Sequence, residues 1–326
     1  MGQLLNVFWL AAGFFLLIKG ADAFVDGASE VSRRLRIPSV IIGLTVVAMG
    51  TSLPELAVST SAAIAGNNGI AAGNVVGSNI FNLLMVAGFS AIFIKLPVSE
   101  SIARKDFPFM VAVTMAMFCL FLDGGGFLSG ESSLSHGDGL VLLLFFVIFL
   151  VYTIRSALSS RAMAADEPSA GRRKSVLWCV LCIVLGAAGI IIGGNLVVDS
   201  ASALAQAFGM SDTLIGLTVV SLGTSLPELV TSIVAARKGE NDIALGNVVG
   251  SNVFNICFVL GLSTAIHPIA ISSDIVIDTV ILLVICVVVW ISASKNRSLG
   301  RVIGSMMMLT YVAYLAYIIM RNYAII

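Results

Sequence analysis

The heptapeptide GTSLPEL occurs twice in this chain, as residues 50–56 and again as residues 223–229. Both copies lie inside long apolar runs, and each places a carboxylic acid directly after a proline. Proline has no backbone N–H and its ring displaces the carbonyl four residues earlier, so it breaks or kinks a helix. The repeated motif therefore predicts two interrupted helices, with Glu55 and Glu228 at the interruptions.

The composition is that of an integral membrane protein. Of the 326 residues, 58% are hydrophobic and only 11% are charged, roughly half the charged share of a soluble domain. Runs long enough to cross a bilayer as helices, roughly 18 to 25 residues, are expected ten times. They lie near residues 3–27, 38–64, 73–95, 107–122, 138–155, 175–198, 212–236, 243–266, 275–293 and 302–320. We expect an all-α protein of the bacterial inner membrane or plasma membrane.

Basic residues predict the orientation of these ten spans. Of the 18 Lys and Arg residues, 16 follow spans one, three, five, seven and nine. Basic residues gather in cytoplasmic loops. Both termini are therefore expected on the outer side.

The motif belongs to a repeat that covers most of the chain. At an offset of 173 residues, the segment 73–82 (GNVVGSNIFN) aligns with 246–255 (GNVVGSNVFN), and Asp26 aligns with Asp199. We expect a first five-helix repeat over 1–157, a cytoplasmic linker over 158–174 and a second repeat over 175–326. Five spans is an odd number, so the second repeat enters the membrane from the opposite side. Inverted repeats are typical of secondary transporters, whose sites lie near the midplane on broken helices.

Each repeat carries a set of oxygen ligands around its motif. Thr51 and Ser52 precede Glu55, with Thr51 one helical turn away at i, i+4. Asn74, Ser78 and Asn82 recur at every fourth residue, which predicts one polar stripe beside a close-packing G-x-x-x-G at Gly73 and Gly77. The second repeat has the same pattern at Thr224, Ser225, Glu228, Asn247, Ser251 and Asn255, beside Gly246 and Gly250. The alternative is that these polar groups only hold helices together. This alternative is more plausible for Asn74, Asn79, Asn247 and Asn252 than for Glu55 and Glu228.

The chemistry of these groups favours a hard cation. A charged carboxylate near the bilayer centre costs at least about 2.5 to 3.5 kcal/mol and is functional by default. Ca²⁺ accepts about 6 to 8 oxygen ligands, and two carboxylates neutralise one Ca²⁺ or two Na⁺. The pattern indicates exchange of Ca²⁺ against a monovalent cation, and it leaves Na⁺ and H⁺ both open. No nucleophile and base pair or zinc-protease motif indicates an enzyme, and a cation channel is disfavoured because the two half-sites are discontinuous and inverted.

The doubled GTSLPE and GNVVGSN-x-FN segments resemble the two alpha repeats of the cation/calcium exchanger superfamily, and are most similar to its prokaryotic sodium/calcium exchanger branch. The resemblance implies that spans two, three, seven and eight line the ion sites and that the long spans one and six slide across them. It implies electrogenic exchange of several Na⁺ for one Ca²⁺ by alternating access.

The resemblance also implies the cation ligands. They are the side chains of Glu55, Glu228, Asn82, Asn255, Thr51, Ser52, Thr224, Ser225, Ser78 and Ser251, and the carbonyls of Ala48 and Ser221. Some members, including potassium-dependent ones, have an Asp where this chain has Asn255, so we expect potassium independence. Ca²⁺ and Na⁺ are then transported substrates, and we expect no cofactor, no catalytic residue, no nucleic acid and no obligatory protein partner besides the lipid bilayer.

A few charged residues lie outside this pattern. Lys19, Asp22 and Asp26 share one face of span one, and an internal ion pair is expected there rather than a cation site. Asp199, the repeat equivalent of Asp26, is expected near a membrane surface.

Overall fold

The computed structural model of the protein describes residues 2–122, 132–163, 174–208 and 221–322. Eight helices in this part of the chain are long and apolar enough to cross a membrane, and one bent pair brings the number to nine. The remaining predicted span, 212–236, begins within residues 209–220, which lie outside the described residues. Its second half is helical.

Six of the spans contain no sharp break. They are Gly2–Leu35, Phe107–Leu122 with a preceding π-helical segment Ile102–Asp106, His136–Met163, Val176–Ala207, Ser273–Asn296 and Arg301–Asn322. The helix that ends at Met163 includes the first six residues of the predicted linker, whereas 164–173 lie outside the described residues.

The other spans are divided into shorter segments. They are Ser39–Ile42, Gly43–Val47 (π), Ala48–Thr51 and Leu53–Ile64; Asn68–Phe81, Asn82–Val86 (π) and Ala87–Phe93; Ser221–Gly223 and Leu226–Arg237; and Asn241–Phe254, Asn255–Leu260 (π) and Gly261–Ile266. The segments on either side of Ser52 are bent by 49°. Pro54 lies in the first turn after this break, as Pro227 does after the break at Ser225, because a first-turn proline needs no hydrogen-bond partner.

Two helices are longer than the sequence predicted. The first long helix, Gly2–Leu35, and the second long helix, Val176–Ala207, contain 34 and 32 residues. At 1.5 Å per residue each exceeds the roughly 30 Å hydrocarbon core. Hydropathy ended these spans at residues 27 and 198, but the polar residues that follow continue the helices.

The two long helices pack against each other through glycines. A Cβ atom at Gly20 would lie 2.7 Å from the Ile190 nitrogen, and one at Gly193 would lie 2.5 Å from the Leu17 nitrogen. Such short distances mean that backbone touches backbone. Gly13 lies against Val197, Gly20 against Ile190 and Gly27 against Ile183, so residue numbers rise along one helix as they fall along the other. The pair is therefore antiparallel, as inverted repeats require.

Glycines in the second repeat motif also permit close helix approach. A Cβ at Gly246 would lie 2.8 Å from the Val40 carbonyl oxygen, and one at Gly250 would lie 2.6 Å from that of Leu44. The predicted close packing is confirmed here. For Gly73 and Gly77 the equivalent partner segment, 213–217, lies outside the described residues.

Two short antiparallel ribbons join the loops at the two ends of the bundle. Leu96–Pro97 pairs with Ser298–Leu299, and Ser132–Leu134 pairs with Ile269–Ile271. Each ribbon takes one strand from either half of the chain. The first joins the loop after span three to the loop after span nine, so those two loops share one face. We call it the basic face, because Lys95, Arg297 and Arg301 flank this ribbon.

Candidate functional site

Glu55 and Glu228 lie at equivalent places, in the first turns of the helices that restart after the two breaks. Both side chains are fully buried. The N-terminus of a helix carries a partial positive charge that stabilises a nearby carboxylate. The breaks therefore provide a favourable backbone environment for two acids in the interior of a membrane protein.

Each carboxylate receives its shortest hydrogen bond from the other half of the chain. The Ser225 hydroxyl donates to Glu55 Oε1 at 2.9 Å, and the Ser52 hydroxyl donates to Glu228 Oε1 at 2.6 Å. The two motifs thus exchange hydroxyl groups. One compact site, rather than two separate ones, contains both acids.

The polar stripes of the following helices complete the surroundings of the acids. Ser78 Oγ lies 3.5 Å from Glu55 Oε1, and Ser251 Oγ lies 3.5 Å from Glu228 Oε1. Ser225 also lies 3.1 Å from Ser78. The structure therefore brings the glutamates and all four predicted serines into two equivalent hydrogen-bonded groups, each with residues from both repeats: Glu55 with Ser78 and Ser225, and Glu228 with Ser52 and Ser251.

Several buried polar atoms around the two acids have no hydrogen-bond partner within the described residues. They include the second carboxylate oxygens of Glu55 and Glu228, the Thr224 hydroxyl and both amide atoms of Asn82. Buried polar atoms without partners are rare because they lose hydration without compensation. Bound cations with oxygen ligands would satisfy these oxygens.

The central asparagines have two kinds of role. Asn79 and Asn252 bond to each other's backbone carbonyls, at 3.4 and 3.2 Å, and hold the third and eighth spans together. Asn255 donates from Nδ2 to Asn79 Oδ1 at 3.3 Å, while its own Oδ1 is buried without a partner. Asn82 and Asn255 each begin a π-helical segment. Such segments often occur at functional sites, and no pattern in the sequence predicted them.

Asn74 and Asn247 each form hydrogen bonds to the helix that carries the glutamate of the same repeat. Asn74 donates to Ser59 at 2.9 Å, and Asn247 donates to Ser232 at 3.0 Å. Each amide also reaches the backbone carbonyl of the glutamate in its own repeat, at 3.4 and 3.5 Å. Sequence reasoning missed Ser59 and Ser232, although the 173-residue offset relates them.

Thr51 and Ala48 differ from the expected arrangement. The helix ends at Thr51 and a new one begins at Leu53, so Thr51 and Glu55 are not neighbours on one continuous helix. The Thr51 hydroxyl lies 3.1 Å from Asn247 Oδ1, across the repeats. Ala48 lies in a helical turn rather than an unwound segment, and its carbonyl accepts the Ser52 N–H at 3.1 Å.

Ser221, the equivalent of Ala48, begins a helical segment at the edge of the described residues, which do not include its side chain.

A cavity of about 400 Å³ lies beside this site, toward the end of the bundle opposite the basic face. Its lining includes Pro54, Val58, Asp199, Thr224 and Pro227. It lies between the second long helix and the two broken helices. Thr224 lines this cavity, and its buried hydroxyl has no hydrogen-bond partner within the described residues.

Two buried acids on inverted, broken helices define a secondary transporter, and comparison with known proteins identifies its family. Residues 5–155 and 178–320 match the family described as "Sodium/calcium exchanger protein". The chain belongs to this family. It is therefore an integral, multi-pass membrane cation antiporter and not an enzyme.

Individual relatives match over almost their whole length. The chain is 37% identical over 324 residues to the "Putative antiporter CaxA" of Alkalimonas amylolytica, covering 96% of this chain and 98% of the relative. It is 32% identical over 344 residues to the "Sodium/calcium exchanger MaX1" of Methanosarcina acetivorans, covering 95% and 97%. A solved structure of the sodium-calcium exchanger NCX_Mj, soaked with Na⁺ and Sr²⁺, superposes with a TM-score of 0.83 at 30% identity, covering 96% of this chain and 99% of that one.

Proposed function

We propose that this antiporter exchanges Na⁺ for Ca²⁺ by alternating access. The observation that carries the proposal is the pair of fully buried carboxylates, Glu55 and Glu228. Each accepts a hydrogen bond from a serine in the motif of the other repeat. Their two negative charges balance one Ca²⁺ or two Na⁺. The similar proteins MaX1 and NCX_Mj are named as sodium/calcium exchangers, which supports the same two ions.

We assign the cation ligands to both repeats. The carboxylates bind Ca²⁺, and hydroxyl, amide and carbonyl oxygens complete its coordination and hold Na⁺. The partnerless oxygens of Glu55, Glu228, Thr224, Asn82 and Asn255 support this assignment. The full set is Glu55, Glu228, Asn82, Asn255, Thr51, Ser52, Thr224, Ser225, Ser78 and Ser251, with the carbonyls of Ala48 and Ser221.

Exchange is electrogenic and independent of K⁺ in this proposal. One Ca²⁺ neutralises the two acids, whereas more than two Na⁺ leave a net positive charge, so each cycle moves charge across the membrane. Asn255 contributes no further charge. It donates a hydrogen bond to Asn79, which an ionised Asp could not do.

The proposed topology has ten spans and both termini on the outer side. Residues 212–236 supply the remaining span, of which Leu226–Arg237 is helical in the described part. The ribbon between Leu96–Pro97 and Ser298–Leu299 supports inverted halves, because it joins loops after spans three and nine. The basic residues around it support a cytoplasmic position for this face.

Ion flux in liposomes tests the proposed exchange. Purified protein is reconstituted with internal Na⁺, and uptake of labelled Ca²⁺ is followed after dilution into Na⁺-free buffer, with or without K⁺. We expect uptake only with the outward Na⁺ gradient, no effect of K⁺, and acceleration by an inside-positive potential, because more than two Na⁺ leave for each Ca²⁺ that enters. Protein-free liposomes are the control.

The same assay separates the alternatives. Uptake that a pH gradient drives and that ignores Na⁺ would identify a Ca²⁺/H⁺ antiporter instead. Ca²⁺ flux that follows the membrane potential without any counter-ion would identify a channel.

A further inference from the structure

The two access paths of the site differ in their charges. Asn195 and Asp199 of the second long helix line the cavity, on what we call the open side. Their repeat equivalents on the first long helix are Asp22 and Asp26. Asp199 has no ion pair within the described chain, whereas both aspartates of the first long helix are paired.

The partner of these aspartates is Lys238, from the second half of the chain. Its Nζ lies 2.8 Å from Asp26 Oδ1, 2.8 Å from the Asp22 carbonyl oxygen and 3.4 Å from Asp22 Oδ1. Lys19 lies farther away, 3.8 Å from Asp22 Oδ2. The ion pair expected inside span one is thus mainly a contact between the two repeats. Three oxygen atoms surround one ammonium group as they would a small cation.

Lys238 lies in a turn that the other repeat reproduces without its charge. Gly66 and Gly239 both have positive φ, +76° and +80°, and their N–H groups bond to Ala63 and Ala236, each at 3.0 Å. Because the backbone turns coincide, Ala65 occupies the place of Lys238. Ala65 is exposed and carries no charge, so this turn has no counterpart of the Lys238 contacts.

A second contact between the repeats follows on the same face. Ser29 donates to the Glu240 carboxylate, and Arg33 lies 3.9 Å from it. The equivalent of Glu240 in the other turn is Asn67, which is exposed. Charged contacts therefore hold the first long helix against the turn at the basic face, and the equivalent turn at the opposite face lacks those charges.

We propose that Lys238 is a positioning residue that closes the basic-face access path by occupying Asp22 and Asp26 in place of a transported cation. When this path opens, Lys238 leaves and the two carboxylates line the path, as Asp199 lines the cavity now. The repeat equivalent of this lysine is Ala65, so the two conformations are not electrostatically equivalent. The inference rests on the alternating access proposed above.

Two thiol probes report which path is open. Val58 lines the open cavity. Its repeat equivalent is Thr231, which is fully buried on the closed side. Val58→Cys and Thr231→Cys are each introduced into protein whose five native cysteines are replaced by alanine. A small, water-soluble methanethiosulfonate reagent then measures both reaction rates in detergent, where it reaches both faces.

Lys238→Gln is expected to raise the labelling rate of Thr231→Cys and to lower that of Val58→Cys. The rise is roughly threefold to tenfold, the range for losing two partly exposed ion pairs. Asp26→Asn shifts both rates in the same directions, and combining it with Lys238→Gln adds little. Lys238→Arg preserves the charge and the original rates. Arg237→Gln, which removes the neighbouring charge but touches neither aspartate, is the matched control.

Unchanged rates in folded Lys238→Gln protein would overturn the proposal. An increase at both probes would also overturn it, because that result indicates general loosening rather than a switch between faces. Labelling does not depend on which ions are exchanged. Failure of Na⁺-driven Ca²⁺ uptake by the native protein would therefore refute the proposed exchange of Na⁺ for Ca²⁺ without affecting the labelling result.

Discussion

Replacing Gly193 with alanine measures how closely the two long helices must approach. A Cβ atom at this position would lie 2.5 Å from the Leu17 nitrogen and 2.7 Å from the Gly13 carbonyl oxygen. Ordinary contact begins at 3.4 Å, so the helices must separate locally by the difference, about 0.9 Å. Both neighbours are backbone atoms that cannot rotate away. Overpacking of this kind costs about 1 to 3 kcal/mol.

The adjacent glycine provides a matched control. A Cβ at Gly194 would lie 3.6 Å from Pro227 Cγ, an ordinary contact. Its repeat equivalent is Ala21, which shows that alanine is accepted at the related position. In both variants alanine favours the helix over glycine by up to about 1 kcal/mol. This contribution cancels when the two variants are compared.

Thermal unfolding in detergent and Na⁺-driven Ca²⁺ uptake provide the measurements. We expect Gly193→Ala to be less stable than Gly194→Ala by about 1 to 3 kcal/mol and to transport more slowly. If the two variants unfold at the same temperature and transport equally, close contact between the long helices is not required and the reasoning is wrong.

Substitutions at the buried site act on transport rather than on folding. Glu55→Gln and Glu228→Gln each abolish Ca²⁺ uptake while the protein keeps its elution profile, since one negative charge cannot balance Ca²⁺; normal uptake by either would refute a shared site. Ser52→Ala and Ser225→Ala each weaken Ca²⁺ binding roughly tenfold or more, because each removes a proposed hydroxyl ligand and the bond that orients a carboxylate, and a hydrogen bond to a charged group contributes about 1.5 to 3 kcal/mol. Threonine at either position keeps the hydroxyl and most of the affinity, which titration calorimetry can measure. Asn255→Asp adds a third negative charge and lowers the Ca²⁺ concentration that half-saturates uptake; an unchanged value would argue against a ligand there.

The fold was largely predictable because the sequence contains two homologous repeats. The 173-residue offset gave the repeats, and proline placed the helix breaks close to where they occur, at Ser52 and Ser225. Hydropathy was weaker at the helix ends. It cannot detect that a helix continues past Asp26 or Asp199 into the polar region, because helix formation there depends on packing between the two long helices.

The partners within the site were not predictable from the sequence. Ser52 is close to Glu55 along the chain, yet it bonds to Glu228, because the 49° bend between the two helix segments changes its direction. Thr51 contacts Asn247 for the same reason. Sequence spacing describes neighbours on a continuous helix, and it does not apply where the helix is broken. The pairing of Asp26 with Lys238 depends likewise on how two distant helices meet.

The exchanged serines make each half of the protein a sensor of the other. A displacement that carries Ser52 away from Glu228 alters the environment of an acid on the opposite repeat. The same displacement carries Glu55 away from Ser225, so the acid of the first repeat also loses a donor from the second. Neither repeat can rearrange around an ion independently. Such mutual dependence opposes uncoupled leakage, because movement of one repeat alone breaks both hydroxyl contacts to the carboxylates, whereas contacts within a single repeat would remain intact.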